Sequence, residues 1–176
     1  MKKTDNTLTA LNFEIPGGSV PEWIELVPQG PSITGRDGRA WVNDRPDAIL
    51  AAFINDGKDM PVDFEHSTEI KAPKGEPAPA AAWAKELENR SGSIWGQIEW
   101  NQAGQDALSK REYRYYSPVF DFETESRRIV RLVSVGLTNR PNLRVTALHH
   151  ETSQEEKPML KKLLKALGLS EEANEE

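Results

Sequence analysis

Turn signals cut most of this chain into short pieces, and that punctuation constrains the fold more than any other feature of the sequence. Between residues 20 and 45 the text runs VPEWIELVPQGPSITGRDGRAWVND. Its apolar stretches are broken by Pro, Gly, Thr-Gly and Asp-Gly signals, so they are too short for helices and predict strands. RPDAILAAFIND, 45–56, has Pro46 near a first turn, apolar residues at Ile49, Leu50, Phe53 and Ile54, and Gly57 as a stop, which predicts a short amphipathic helix. MPVDFEHS alternates Val62, Phe64 and His66 with Asp63, Glu65 and Ser67, the pattern of a half-buried strand with His66 at its end. Residues 68–79, rich in Lys, Pro, Gly and Glu, predict an exposed loop beside that strand end.

Further along, AAAWAKELEN and SIWGQIEW flank a turn at Asn89-Arg90-Ser91-Gly92 and predict a hairpin, with Trp83, Trp95 and Trp100 favouring sheet over helix. NQAGQDALSK has the Ala and Leu spacing of a short helix. YRYYSPVFDFE and RIVRLVSVGLT, joined by ETESR, predict a second antiparallel pair. From His149 the character changes: HHETSQEEKP is a polar linker, and MLKKLLKALG then sets Met159, Leu160, Leu163, Leu164 and Leu167 on one stripe with lysines opposite. The chain shows no internal repeat.

A length of 176 residues suits one domain plus a tail. The hydrophobic fraction of 37% is low, consistent with a lean core and residues lying outside it. No apolar run approaches the ~20 residues of a membrane span, and MKKTDNTLTA lacks the apolar stretch of a secretory signal, so a soluble cytosolic protein is expected. A net charge of −6 disfavours a nucleic-acid surface. With no cysteine, disulfides, thiol nucleophiles and thiolate metal sites are excluded, and any catalysis must use oxygen or nitrogen groups.

His149 and His150 sit in the linker, which leaves His66 as the imidazole expected within a folded framework and the natural general base. Ser117 follows a strand and precedes Pro118, which biases it to an extended conformation and presents its hydroxyl at a sheet surface. A histidine at a strand end is more often a hydrogen-bonded structural or exposed group, and a Ser-Pro pair is usually only a strand breaker. A metal site built on Asp63, Glu65 and His66 is disfavoured, because alternation puts the carboxylates opposite the imidazole. No metal or cofactor is called for.

MPVDFEHS, SIWGQIEW, EYRYYSPVF and VSVGLTNRPNL, in this order and at these intervals, resemble the Mu-like prophage I protein family, the capsid-assembly proteases of Mu-type phages. The resemblance covers about residues 10–148, and YRYYSPVF and GLTNRP are its most specific strings. More distantly, a His followed about fifty residues later by a Ser is similar to the prohead proteases of tailed phages and the herpesvirus assemblins. The resemblance implies an α+β, mainly β fold: a small closed antiparallel barrel of the assemblin kind with flanking short helices and a C-terminal helical tail. It implies Ser117 as nucleophile and His66 as base. Aligning Pro141 with the proline of the prohead-protease Pro-Ala-Asn-Pro string brings Ser134 to the third, acidic position. Ser134 has no charge, so either it orients His66 as a neutral acceptor or Asp63 or Glu65 approaches from elsewhere. Gly136 and Leu137 are the expected oxyanion donors, with a plain bulge as the alternative.

The implied organisation is a protease domain at 1–148, a linker at 149–158, and the start of a scaffold-like tail at 159–176. The implied function is a serine endopeptidase of phage head maturation that cleaves scaffold, capsid protein or itself. The expected partners are the major capsid protein, the scaffold and further copies of the chain. The expected location is the host bacterial cytoplasm, inside assembling procapsids. The alternative is a non-catalytic assembly module that binds capsid protein. With no acidic partner for His66 visible in the sequence, its imidazole is expected to titrate near its reference value, with activity rising through roughly pH 6–8.

Overall fold

The computed structural model describes residues 20–35 and 38–139, together with the backbone of 4–5 and 13–14. The leucine-striped tail, the linker and Pro141 lie outside the described residues. The elements in chain order are β1 (Thr4–Asp5), β2 (Phe13–Glu14), β3 (Trp23–Val27), β4 (Ser32–Thr34), β5 (Ala40–Val42), α1 (Pro46–Asp56), β6 (Met60–Phe64), α2 (Ser67–Ile70), β7 (Ala80–Arg90), β8 (Ser93–Trp100), α3 (Gln102–Ser109), β9 (Tyr115–Glu123) and β10 (Ile129–Thr138). The fold is mainly β.

Local chemistry explains where the elements stop. α1 starts on Pro46, whose missing N–H costs nothing at a first helical position, and ends at Gly57, which takes the left-handed conformation at φ 60°. α3 starts at Asn101, whose side chain accepts the amide of Gly104. The β7–β8 hairpin turns on Ser91 and Gly92, both at positive φ (54° and 96°), and this handedness matches the twist of the flanking strands.

The main sheet runs β1-β9-β10-β6-β7-β8-β3, with β2 also paired to β9, and β4–β5 forms a separate hairpin. The sheet curls so that its far strands approach each other: the Tyr116 hydroxyl on β9 donates to the Glu25 carbonyl on β3 at 3.0 Å. The β4–β5 hairpin supplies Trp41, which is 1% exposed and meets Phe120 and Phe122 edge-on at 5.6 and 6.5 Å. Val62, Val135, Leu137, Tyr116 and Phe120 belong to the same buried cluster.

The closed antiparallel barrel expected from the resemblance is not formed. Among the described strands β9 and β3 share no ladder, so the sheet is a curled half-barrel. Nor is it wholly antiparallel: β10 lies parallel to β6, with Val135, Gly136 and Leu137 opposite Val62, Asp63 and Phe64. Such a pair needs a long crossover, and β7, β8, α3 and β9 provide it. The loop expected at 68–79 also differs, because α2 and a 3-10 turn at Ala72–Lys74 occupy its first part.

Candidate active site

Three adjacent strands set the site. In the β9–β10 ladder Ser117 stands opposite Gly136, and in the β10–β6 ladder Gly136 stands opposite Asp63. Directly paired residues share a sheet face, so Ser117, Gly136 and Asp63 form one row across three strands. Ser134 and Thr138, two residues to either side of Gly136, lie on the same face. Bulges interrupt the ladders beside this row, between Val62 and Asp63 and between Leu132 and Ser134.

The strand ends at Phe64 rather than running on to His66. Glu65 and His66 both adopt left-handed backbone, at φ 56° and 57°, a conformation that costs an ordinary residue of the order of 1–3 kcal/mol and persists only where its surroundings impose it. Here they do. The Glu65 amide donates to the Leu137 carbonyl at 2.9 Å, and both Asp63 carboxylate oxygens accept amides beyond the turn, Ser67 at 3.1 Å and Thr68 at 2.8 Å. Thr138 donates to Glu65 at 3.3 Å, and Ser134 donates to Glu69 at 3.2 Å. The turn and α2 thus lie across the face of β10, held at both ends.

This turn folds the imidazole over Gly136. A Cβ built on Gly136 would fall 2.6 Å from Nδ1 and 2.7 Å from Cε1 of His66, inside any real contact distance. The absent side chain is the space the ring occupies. His66 and Ser117 therefore flank the same glycine, the ring above it and the serine beside it on β9, the neighbouring strand about 5 Å away. Nδ1 is buried with no hydrogen-bond partner among the described residues.

Burial pushes the His66 imidazole below its ordinary value of 6.5, and the negative charges of Asp63 and Glu65 oppose that shift. The expectation of an unperturbed imidazole is therefore corrected, since the half-buried ring loses hydration that its charged form needs. Asp63 itself is completely buried. Ser117 is completely buried as well, on the opposite face of β9 from the core residues Tyr116 and Phe120.

Of the residues singled out in the sequence, Ser117, His66 and Gly136 come together. Ser134 is in the same row of β10, with its hydroxyl engaged by Glu69. Leu137 turns its side chain into the core, and its carbonyl holds the Glu65 amide. Alternation along the strand then directs the polar groups of Gly136 towards β9. Glu69 and the double-amide grip of Asp63 were not anticipated. An Asp followed at four and five residues by Ser-Thr is the one local hint of that grip. Among the described residues no group of His, Asp and Glu side chains is arranged to hold a metal ion, and no helix is long and apolar enough to cross a membrane.

Residues 24–149 match the family described as Mu-like prophage I protein, N-terminal domain. Over 193 aligned residues the chain is 30% identical to Protease I of Escherichia phage Mu, an alignment that takes in 93% of this chain and 51% of the relative. The chain thus spans about half the length of the curated relative it matches. No solved structure matches it. By this match over most of its length, the chain belongs to the Mu-like prophage I protein family.

Proposed function

We propose that this chain is a serine endopeptidase of phage head assembly, with Ser117 as nucleophile and His66 as general base. One observation carries the reading: Ser117 on β9 and the ring of His66, which a left-handed turn folds over β10, both stand against Gly136. In this mechanism the Ser117 Oγ attacks the peptide carbonyl carbon while His66 accepts the hydroxyl proton. His66 then gives that proton to the leaving amine, and water hydrolyses the acyl-enzyme by the same steps in reverse. Family membership and similarity to a protein named Protease I support the reaction class. The substrates we propose are capsid protein, scaffold or the chain itself, cleaved inside procapsids, with the β-domain at 1–148 as the catalytic part and the leucine-striped tail as a partner-binding extension.

The complete burial of Ser117 favours the second reading, a non-catalytic assembly module. Co-expression of the chain with capsid and scaffold proteins separates the two, with new N-termini read by mass spectrometry. Ser117→Ala should abolish cleavage and leave the circular dichroism spectrum unchanged, with the thermal midpoint lowered by a few degrees for the loss of a buried hydroxyl. Equal cleavage by wild type and variant would overturn the serine mechanism.

A further inference from the structure

The row across β9, β10 and β6 ends in a carboxylate. We infer that Asp63 is the positioning acid of this site: it fixes the His66 turn through two backbone amides and supplies the buried negative charge that the imidazolium faces. This rests on the serine-protease reading above and assigns the acidic role to a residue preceding the base by three positions.

Three observations lead there. Asp63 is completely buried yet makes no ion pair among the described residues; its two oxygens are spent on the amides of Ser67 and Thr68, the residues directly after His66. A buried carboxylate is costly unless such donors satisfy it, so the grip defines one geometry for the segment between. Glu65 and His66, the residues that must be held in left-handed backbone, lie inside that grip. Finally, the ladder places Asp63 beside Gly136, directly under the ring. The other charged groups of the turn are Glu65, which is exposed and bound to Thr138, and Glu69, which is bound to Ser134. Water screens the charge of Glu65, whereas that of Asp63 acts through protein. Asp63 does not hydrogen-bond to Nδ1, which has no partner among the described residues, so its action passes through the backbone and the field rather than through a direct bond.

The test replaces the charge and keeps the shape. Asp63→Asn retains one acceptor for the amides, and Asp63→Ala retains none. In a Ser117→Ala background, which prevents self-cleavage, the His66 ring is titrated by NMR and identified by its loss in His66→Asn. Asp63→Asn should shift the His66 midpoint to lower pH, and Glu65→Gln should shift it less. In the active chain, Asp63→Asn should lower kcat at least tenfold with KM little changed and move the acid limb of the pH–rate profile down with the NMR midpoint. An unmoved midpoint in a folded Asp63→Asn chain would overturn the inference, as would full activity in folded Asp63→Ala. If Asp63→Asn does not fold, Asp63→Glu serves in its place: it keeps the charge and so should leave the midpoint near that of wild type. A midpoint displaced as far as in Glu65→Gln would overturn the inference. The NMR result needs no protease activity, so it stands or falls separately from the Ser117→Ala cleavage assay.

Discussion

The imidazole of His66 fills the place that a side chain at position 136 would take, and the two residues exclude each other's alternatives. Gly136 is not at positive φ, so alanine there meets no backbone objection, and the three atoms its Cβ would come nearest all belong to the ring, the closest being Nδ1 at 2.6 Å. Gly136→Ala should therefore lower kcat by about 100-fold, the scale of a misplacement near 1 Å. Overpacking should cost about 1–3 kcal/mol of stability. Single-turnover cleavage and chemical denaturation measure both, and wild-type kcat in the variant would show that the ring is free to move aside.

The downward shift of His66 has a defined sign for stability. The unfolded chain protonates its imidazole near 6.5 and the folded chain at lower pH, so the unfolded state binds more protons in the interval between. The His66 contribution to stability is complete above about 6.5, declines as the pH falls below that value, and levels off below the folded-state midpoint. Thermal midpoints of wild type and His66→Asn, compared from pH 8 down to 5, should show wild type losing ground to the variant. The acid limb of cleavage should lie below 6.5 for the same reason. A wild type that gains relative to the variant would mean that Asp63 and Glu65 outweigh burial.

The proposed nucleophile has no exposed surface and must be uncovered before it reacts. Ser117 is 0% exposed, so modification by a small fluorophosphonate needs local opening, whose free energy is less than that of global unfolding. Labelling of Ser117 at pH 8 should be slow and should accelerate several-fold in urea well below the unfolding midpoint. A labelling rate that is fast and independent of urea would show that the hydroxyl is reachable in the native state.

Periodicity and turn chemistry made most of the elements legible. The β7–β8 and β9–β10 pairs are joined by short turns, and their alternation fixes the partner on each side. The parallel pairing of β6 with β10 leaves no such mark, because no turn connects the two strands. The alternation of MPVDFEHS continues through His66 while the strand does not, since the Asp63 carboxylate draws the next amides into a helical turn. Ser117 and His66 stand out by residue type alone. Gly136 as the seat of the ring does not, because its meaning depends on a residue about 70 positions earlier. Ser134 and Leu137 lie in the same strand as Gly136, but the partners of their side chains are set by α2 and by the core.

The parallel ladder also sets an order of events during synthesis. The turn bearing His66 leaves the ribosome about 70 residues ahead of the glycine it rests on, a lag of roughly 4–14 s at ordinary elongation rates. Throughout that interval β6 can pair only with β7, its other ladder, and the left-handed turn lacks the Leu137 carbonyl and the Ser134 and Thr138 hydroxyls that hold it. A nascent chain therefore carries a histidine without its seat, and the site is complete only once β10 has been made and paired with β9 on one side and β6 on the other.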